Sequence, residues 1–315
     1  MKALKVMAVL LTALMTLSVP VAAGTVNTAD NTNITKATEL TLDEKKYGLF
    51  QMGNEYWYSY LAESDGNYII GVLDKNPNGG RSEGNYLKYT IFDETGEILL
   101  EQNVASRFGM LTSSSLNLDA NKTFYIKISG VRSQFNLDDG EYLITVQKVE
   151  EGVQKNLLQT DTSNISESIS GKASLTMEDA LVIPVNEEMY GELDEKNEWL
   201  AFDTNGIEGA EYTISAVRTE SGSAYITIIL CDGFGNVLVE EALDKNGFYT
   251  NITQSLEADS IYYVCVRNYD HKTNYAPEYI LNIKTEDNAA TSPSKPASEA
   301  PETGEEPTQE DELFD

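Results

Sequence analysis

Residues 91–101 read Ile91-Phe92-Asp93-Glu94-Thr95-Gly96-Glu97-Ile98-Leu99-Leu100-Glu101, and residues 230–240 read Leu230-Cys231-Asp232-Gly233-Phe234-Gly235-Asn236-Val237-Leu238-Val239-Glu240. Each stretch is an apolar run, a short polar turn containing glycine, and a second apolar run. That order is a β-hairpin, with the glycine supplying a positive φ at little cost. Asp93, Gly96 and Glu101 return in register as Asp232, Gly235 and Glu240, so the second stretch is a copy of the first. A repeat of this kind sets the domain organisation before any fold is assigned.

The duplication extends in both directions. Upstream, Tyr47-Gly48 and Asn54-Glu55-Tyr56-Trp57 return as Tyr190-Gly191 and Asn197-Glu198-Trp199, so the two tryptophans of the chain are equivalent. Downstream, Leu118-Asp119-Ala120-Asn121 and Phe124-Tyr125-Ile126 return as Leu256-Glu257-Ala258-Asp259 and Tyr262-Tyr263-Val264, and Glu141-Tyr142-Leu143-Ile144 returns as Glu278-Tyr279-Ile280-Leu281. The domains are therefore expected at residues 34–150 and 173–286.

Within each repeat the chain reads as strands. Asn67 to Leu73, Tyr86 to Phe92, Thr123 to Ile128 and Tyr142 to Val146 are short runs rich in Tyr, Ile, Val and Thr, bounded by Gly, Asn and Asp clusters. No window of helical length carries a 3.6-residue apolar stripe. In Thr123 to Ile128, Phe124, Ile126 and Ile128 share one face and Tyr125 and Lys127 the other, the alternation of a sheet buried on one side. The expected fold is all-β: two tandem antiparallel β-sandwich domains, jelly-roll-like. Residues 151–172 are polar and Ser-rich, which suits a linker or irregular connection.

These blocks resemble the bacterial pre-peptidase C-terminal domain, a β-sandwich appended to secreted peptidases. The resemblance rests on the glycine after Tyr47 or Tyr190, the Asn-Glu-Trp neighbourhood, the strands opened by Gly66-Asn67-Tyr68 and by Gly209 to Tyr212, the Asp-x-x-Gly turn, the Leu-x-Ala turn before Tyr125 or Tyr263, and the closing Glu-Tyr. It covers both repeats. The Asp that usually precedes the Trp in that family is here Glu55 and Glu198, beside Asn54 and Asn197. The resemblance implies a non-catalytic accessory fold used for secretion, stability or binding to protein or polysaccharide. Some relatives, the collagen-binding modules of clostridial collagenases, take calcium and a fibrous substrate. No peptidase domain accompanies the two repeats in this sequence.

The ends of the chain point outside a bacterial cell. Residues 1–23 have the form of a cleaved signal peptide: Lys2 and Lys5, an apolar run from Val6 to Leu17, and small residues Val21-Ala22-Ala23. That run is shorter than the roughly 20 residues that cross a bilayer, so no membrane anchor is expected after cleavage. Residues 24–33 form a short N-terminal extension. Residues 287–315 are a Pro, Glu, Ser and Thr tail with Lys295 its single basic residue, expected to be disordered because it has little apolar surface to bury. Ala300-Pro301-Glu302-Thr303-Gly304 resembles the sortase signal of Gram-positive surface proteins, but without its leading Leu and without an apolar segment after it. The formal net charge of −29 excludes nucleic acid as a partner, since phosphate backbones are approached through basic surfaces.

Catalytic signals are absent. One histidine, His271 in the loop Asn268 to Lys272, cannot build a His-rich zinc site, and no Gly-x-Ser-x-Gly elbow supports a triad around it. With 51 Asp and Glu, close carboxylate pairs arise anyway and single out nothing. The expectation is no catalytic residue and no enzyme. Calcium is the one candidate cofactor, through the oxygen-rich stretches that contain Asp138 and Asp139 and, at the end of the 67–73 strand, Asp74 and Asn76. Without EF-hand spacing or a nonapeptide repeat, both stretches also read as ordinary turns.

Eighteen tyrosines invite a sugar-stacking surface, but Tyr68, Tyr142, Tyr212, Tyr262 and Tyr279 sit at strand positions and read as packing. Tyr56, Tyr249, Tyr269 and Tyr275 are not shared by the repeats and are the candidate aromatic platform; Trp57 and Trp199 are read as structural. The only cysteines, Cys231 and Cys265, leave their strands on the side away from the core. A disulfide between neighbouring strands and two unpaired thiols are both open, with unpaired thiols the expectation; the first repeat, with Phe92 and Lys127 there, manages without a bond. The functional reading is a secreted, non-catalytic binding protein that presents two sandwiches to an extracellular protein or glycan. A hydrolase with a carboxylate pair between the domains and a purely structural surface or matrix component are the alternatives.

Overall fold

A computed structural model describes residues 31–51, 53–75, 86–104, 109–131, 140–150, 156–166, 174–193, 197–204, 209–219, 226–242, 249–268 and 278–285. The signal segment, the tail, His271, Asn76, Asp138, Asp139, Tyr269 and Tyr275 lie outside the described residues.

The first repeat folds as nine strands: β1 (Thr38–Glu39), β2 (Lys45–Phe50), β3 (Glu55–Ala62), β4 (Gly66–Asp74), β5 (Tyr86–Phe92), β6 (Ile98–Asn103), β7 (Thr112–Leu118), β8 (Lys122–Val131) and β9 (Gly140–Lys148). They form a front sheet in the order β1-β3-β8-β5-β6 and a back sheet in the order β2-β9-β4-β7. The second repeat supplies β10 (Leu181–Val182), β11 (Glu188–Glu192), β12 (Asn197–Asp203), β13 (Glu211–Arg218), β14 (Ile226–Cys231), β15 (Val237–Ala242), β16 (Tyr249–Ser255), β17 (Ile261–Asn268) and β18 (Glu278–Thr285). Its front sheet runs β10-β12-β17-β14-β15 and its back sheet β11-β18-β13-β16, so the topology repeats strand for strand. Pairing is antiparallel except at the short edge strands, where β1 lies parallel to β3 and β10 parallel to β12. No α-helix occurs among the described residues; a 3₁₀ turn precedes each edge strand, Ile34–Lys36 and Met177–Asp179.

The turns predicted from the sequence have a clear physical basis. Asp93 Oδ1 accepts hydrogen bonds from the backbone N–H of Thr95 and Glu97, and Asp232 Oδ1 does the same for Phe234 and Asn236. Gly96 and Gly235 then close their hairpins at φ of 87° and 82°. The Tyr-Gly pairs are packing devices: a Cβ on Gly48 would fall inside the ring of Tyr142, and one on Gly191 inside the ring of Tyr279.

Each sandwich encloses its own core between front and back sheets. In the first, Tyr58, Tyr60, Tyr68, Tyr89 and Tyr142 join Ile70, Val72, Ile91, Ile126, Ile128 and Ile144. The phenols are satisfied internally, with Tyr58 OH 2.7 Å from Tyr142 OH and Tyr89 OH 2.6 Å from Ser114 Oγ. In the second, Leu200, Phe202, Tyr212, Ile214, Ile228, Val264, Tyr279 and Leu281 fill the same space. Each such side chain contributes about 1.5–3 kcal/mol on burial.

A third apolar cluster joins the repeats. Leu73, Leu111 and Leu143 of the first sandwich meet Met177, Val182, Trp199, Ala201, Ile229, Cys231, Tyr263 and Cys265 of the second, with Leu157 and Leu158 wedged between them. The back face of the first domain therefore lies on the front face of the second. Residues 151–172, expected to be a polar spacer, are corrected here: their described part holds two leucines with no exposed surface. The burial patterns record the same contact. Strand β3 alternates between core and surface, whereas its equivalent β12 is buried on both faces.

Candidate functional site

Trp57 and Trp199 are tied down identically at the backbone. Trp57 N–H donates to Asn31 O at 2.8 Å and Trp199 N–H to Ser174 O at 2.9 Å, while Asn31 Nδ2 and Ser174 Oγ donate back to the tryptophan carbonyls. In register, Trp57 faces Lys127 and Trp199 faces Cys265. These pairings align Tyr56 with Glu198, so the first repeat carries one extra residue before its tryptophan.

That register corrects the reading of Tyr56. It points inward and is buried, with its ring 6.2 Å from Phe50 and 6.1 Å from Tyr142, and its hydroxyl accepts from Gln51 N–H. It is no part of an exposed platform. Tyr249 opens β16, but its side chain lies outside the described residues, as do Tyr269 and Tyr275. Asp74 ends β4 as a buried residue opposite Tyr142. Among the described residues no three His, Cys, Asp or Glu come together as a metal site.

Cys231 and Cys265 carry free thiols and are fully buried. They lie on adjacent strands but not opposite one another: Cys265 faces Ile229 and Cys231 faces Tyr263. Their side is indeed away from the sandwich core, but it opens onto the first domain, with Cys231 Sγ 3.8 Å from Met110 Sδ. Burial pushes the Cys231 thiol up to about 12 and Cys265 well above the ordinary range. Neither is a nucleophile in this state.

The interdomain region offers no carboxylate pair in a cleft. Its prominent acid, Glu178, accepts from Tyr47 OH and pairs with Lys75 at 2.8 Å and Lys45 at 3.5 Å. Burial alone would raise its pKa, but Lys75, Tyr47 and Lys45 outweigh burial and hold the carboxyl below its ordinary value. A hollow of about 480 Å³ beside the connection is lined by Thr162, Ile165, Val182, Pro184, Asp203 and Tyr212 among others, with Asp203 its single carboxylate.

The feature that stands out is the front face of the first sandwich. Trp57 and Phe92 lie side by side with ring centroids 5.3 Å apart, and Lys127 Nζ sits 5.5 Å from the first and 5.7 Å from the second while pairing with Glu55 at 2.9 Å. Tyr125, half-buried, shares this face. The equivalents of Trp57, Phe92, Tyr125 and Lys127 are Trp199, Cys231, Tyr263 and Cys265, every one buried against the first domain. Reading both tryptophans as structural missed this difference. Its signal was the exchange of Ser59, Thr90 and Lys127 for Ala201, Ile229 and Cys265, polar in one copy and apolar in the other.

On the opposite side of the molecule, the back face of the second sandwich is also open. Tyr190, the equivalent of Tyr47, is 61% exposed, and Val217, the equivalent of Leu73, is 36% exposed. Among the described residues no helix is long and apolar enough to cross a membrane.

No protein-family model and no curated protein matches the chain. Solved structures do. The pre-peptidase C-terminal domain of a Bacillus anthracis collagenase is 21% identical over 33% of this chain and 94% of its own, with a TM-score of 0.26. The N-terminal CBM22-1–CBM22-2 tandem of Paenibacillus barcinonensis Xyn10C is 11% identical over 77% of this chain and 86% of its own, with a TM-score of 0.23. The M60 catalytic domain with CBM51-1 and CBM51-2 of Clostridium perfringens ZmpB is 8% identical over 76% of this chain and 34% of its own, with a TM-score of 0.26. At these identities the likeness is one of β-sandwich architecture.

Proposed function

We propose that the chain is a secreted, non-catalytic interaction protein whose binding surface is the front face of the first sandwich, around Trp57, Phe92, Tyr125 and Lys127. One observation carries this reading: the same face in the second copy is a protein-binding face, covered by another folded domain. Clustered aromatics next to a basic side chain make the kind of anchor on which interfaces depend. The same geometry favours a protein over a polysaccharide, because Lys127 lies over the ring surfaces on which a sugar would stack.

The test is an array of extracellular proteins and glycans probed with the wild-type chain and with Trp57→Ala and Lys127→Ala. Capture of protein ligands that both substitutions reduce, with unchanged circular dichroism, is the expected result. Binding that ignores both substitutions, or binding to glycans alone, would overturn the reading.

A further inference from the structure

The contact between the two domains is heterologous: a back face meets a front face, and the two surfaces differ. In a chain of two equivalent sandwiches this leaves one unmatched face of each kind, the front of the first domain and the back of the second. Heterologous contacts between equivalent units propagate unless something stops them. We infer that the front face of the first sandwich receives the back face of the second sandwich of another copy, so that chains associate head to tail. This rests on the reading of the Trp57 face as a binding surface and names its partner.

Three observations on the two open faces support a second copy as the occupant. The first is apolar surface retained at the positions that matter in the internal contact. Ile34 takes the place of Met177, which plugs that contact, and is 39% exposed. Tyr190 and Val217 take the places of Tyr47 and Leu73, and half-buried Ile280 takes that of Leu143. The second is a charge exchange across the rim. Inside the chain, Lys45 and Lys75 on the back face meet Glu178, with Asp179 4.0 Å from Lys75. At the open ends, Glu188 replaces Lys45 on the back face and Lys36 replaces Asp179 beside the front face. Both signs are inverted, so attraction is preserved while the internal pairing is not duplicated. The third is Asn282, the equivalent of Thr145, which is buried on the open back sheet with its Oδ1 lacking a hydrogen-bond partner.

Sedimentation velocity of the full secreted chain over a wide concentration range tests the inference. Wild type should grow in mass with concentration, and Trp57→Glu and Tyr190→Glu should each weaken association at least about tenfold, the scale of an interface anchor. Mixing these two variants should restore a single intact contact and yield a capped heterodimer. Lys36→Glu and Glu188→Lys should each weaken association, and combining them in one chain should restore it. Circular dichroism of every variant confirms that folding is unchanged; should Trp57→Glu unfold, Lys36→Glu replaces it in the mixing experiment with Tyr190→Glu. A wild-type chain that stays monomeric throughout, or a mixture that fails to form the heterodimer, overturns the inference. Loss of self-association with Trp57-dependent capture of a foreign protein intact would sink this proposal alone. Failure of that capture with self-association intact would sink the foreign-partner reading alone.

Discussion

Trp57 and Trp199 occupy the same place in two copies of one sandwich, yet Trp199 has no exposed surface and Trp57 remains half-exposed beside Phe92. Burial by the neighbouring domain accounts for the difference, so the two residues should differ in energetic weight. Trp199→Ala removes a fully enclosed side chain and should cost about 3–5 kcal/mol, as large-to-small core substitutions do. Trp57→Ala should cost about 1 kcal/mol, closer to a surface change. Urea unfolding of both variants measures this. The emission spectra give a second check: a Trp57→Phe chain should emit farther to the blue than a Trp199→Phe chain.

The thiols provide an independent probe of the same contact. Cys231 and Cys265 are buried free thiols whose pKa values are raised by desolvation, so a maleimide should label neither in the native chain at neutral pH. In denaturant without reductant it should label both. Mass spectrometry after alkylation reads the result, and a two-dalton deficit with no label would instead mean a disulfide. Labelling of the folded chain should begin only under conditions that separate the domains.

Much of this architecture is legible in the sequence because it is written twice. Order of strands, hairpin turns and domain equivalence follow from blocks such as 91–101 and 230–240. What was less legible involves partners distant in the chain. Leu157 and Leu158 look incidental in a polar stretch until Gly233 O accepts from Leu157 N–H and places them between domains. Glu198 looks like a surface acid, yet it is buried and accepts from Tyr279 OH at 2.6 Å. Tyr56 was misplaced because the sequence match absorbed the extra residue before Trp57 that the strand register exposes. The double-sided burial of Ile226–Cys231 was present as an uninterrupted apolar run, the usual mark of a strand covered on both faces.

Acid should loosen the contact between the domains. Glu178 has its pKa lowered from an ordinary 4.5, because pairing with Lys75, Tyr47 and Lys45 outweighs the cost of its burial. A lowered folded value means that the pairing stabilises fully above the ordinary value and is lost as pH falls through the lowered one. In a Trp57→Phe background, Trp199 emission should shift to the red as pH falls below about 4.5, in line with the ordinary range of carboxylates. The stability difference between wild type and Glu178→Gln should be largest near neutrality and shrink across the same interval. A difference that stays constant with pH would refute the assignment.

The Tyr-Gly pairs should be intolerant of the smallest substitution. In both domains a Cβ on the glycine would enter the ring of the tyrosine that packs across it, Tyr142 over Gly48 and Tyr279 over Gly191. Neither ring can retreat freely, since Tyr142 is hydrogen-bonded to Tyr58 and Tyr279 to Glu198. Gly48→Ala and Gly191→Ala should each destabilise their domain by about 1–3 kcal/mol, the usual cost of overpacking. Thermal unfolding decides it. Unchanged midpoints would mean that the rings rearrange more easily than their hydrogen bonds suggest.

Separating the domains should affect them unequally. Residues 31–150 alone would expose Leu73, Leu111 and Leu143, an apolar group of modest size on a sheet that also carries Thr145, Gln147, Lys45 and Lys75. Residues 174–285 alone would expose Met177, Val182, Trp199, Ala201, Ile229, Cys231, Tyr263 and Cys265 as one continuous apolar sheet face. Large contiguous patches of that kind associate in water, whereas scattered apolar residues do not. The isolated first domain should therefore remain soluble and fold cooperatively, and the isolated second domain should aggregate or bind a hydrophobic dye. Substituting polar residues from the first repeat, Ala201→Ser, Ile229→Thr and Cys265→Lys, should render the isolated second domain soluble. The same three changes in the intact chain should separate the domains, with Trp199 emission moving to the red. Solubility scattering and dye binding on the two fragments and the triple variant make the comparison, and an equally soluble unmodified second domain would count against the interface described here.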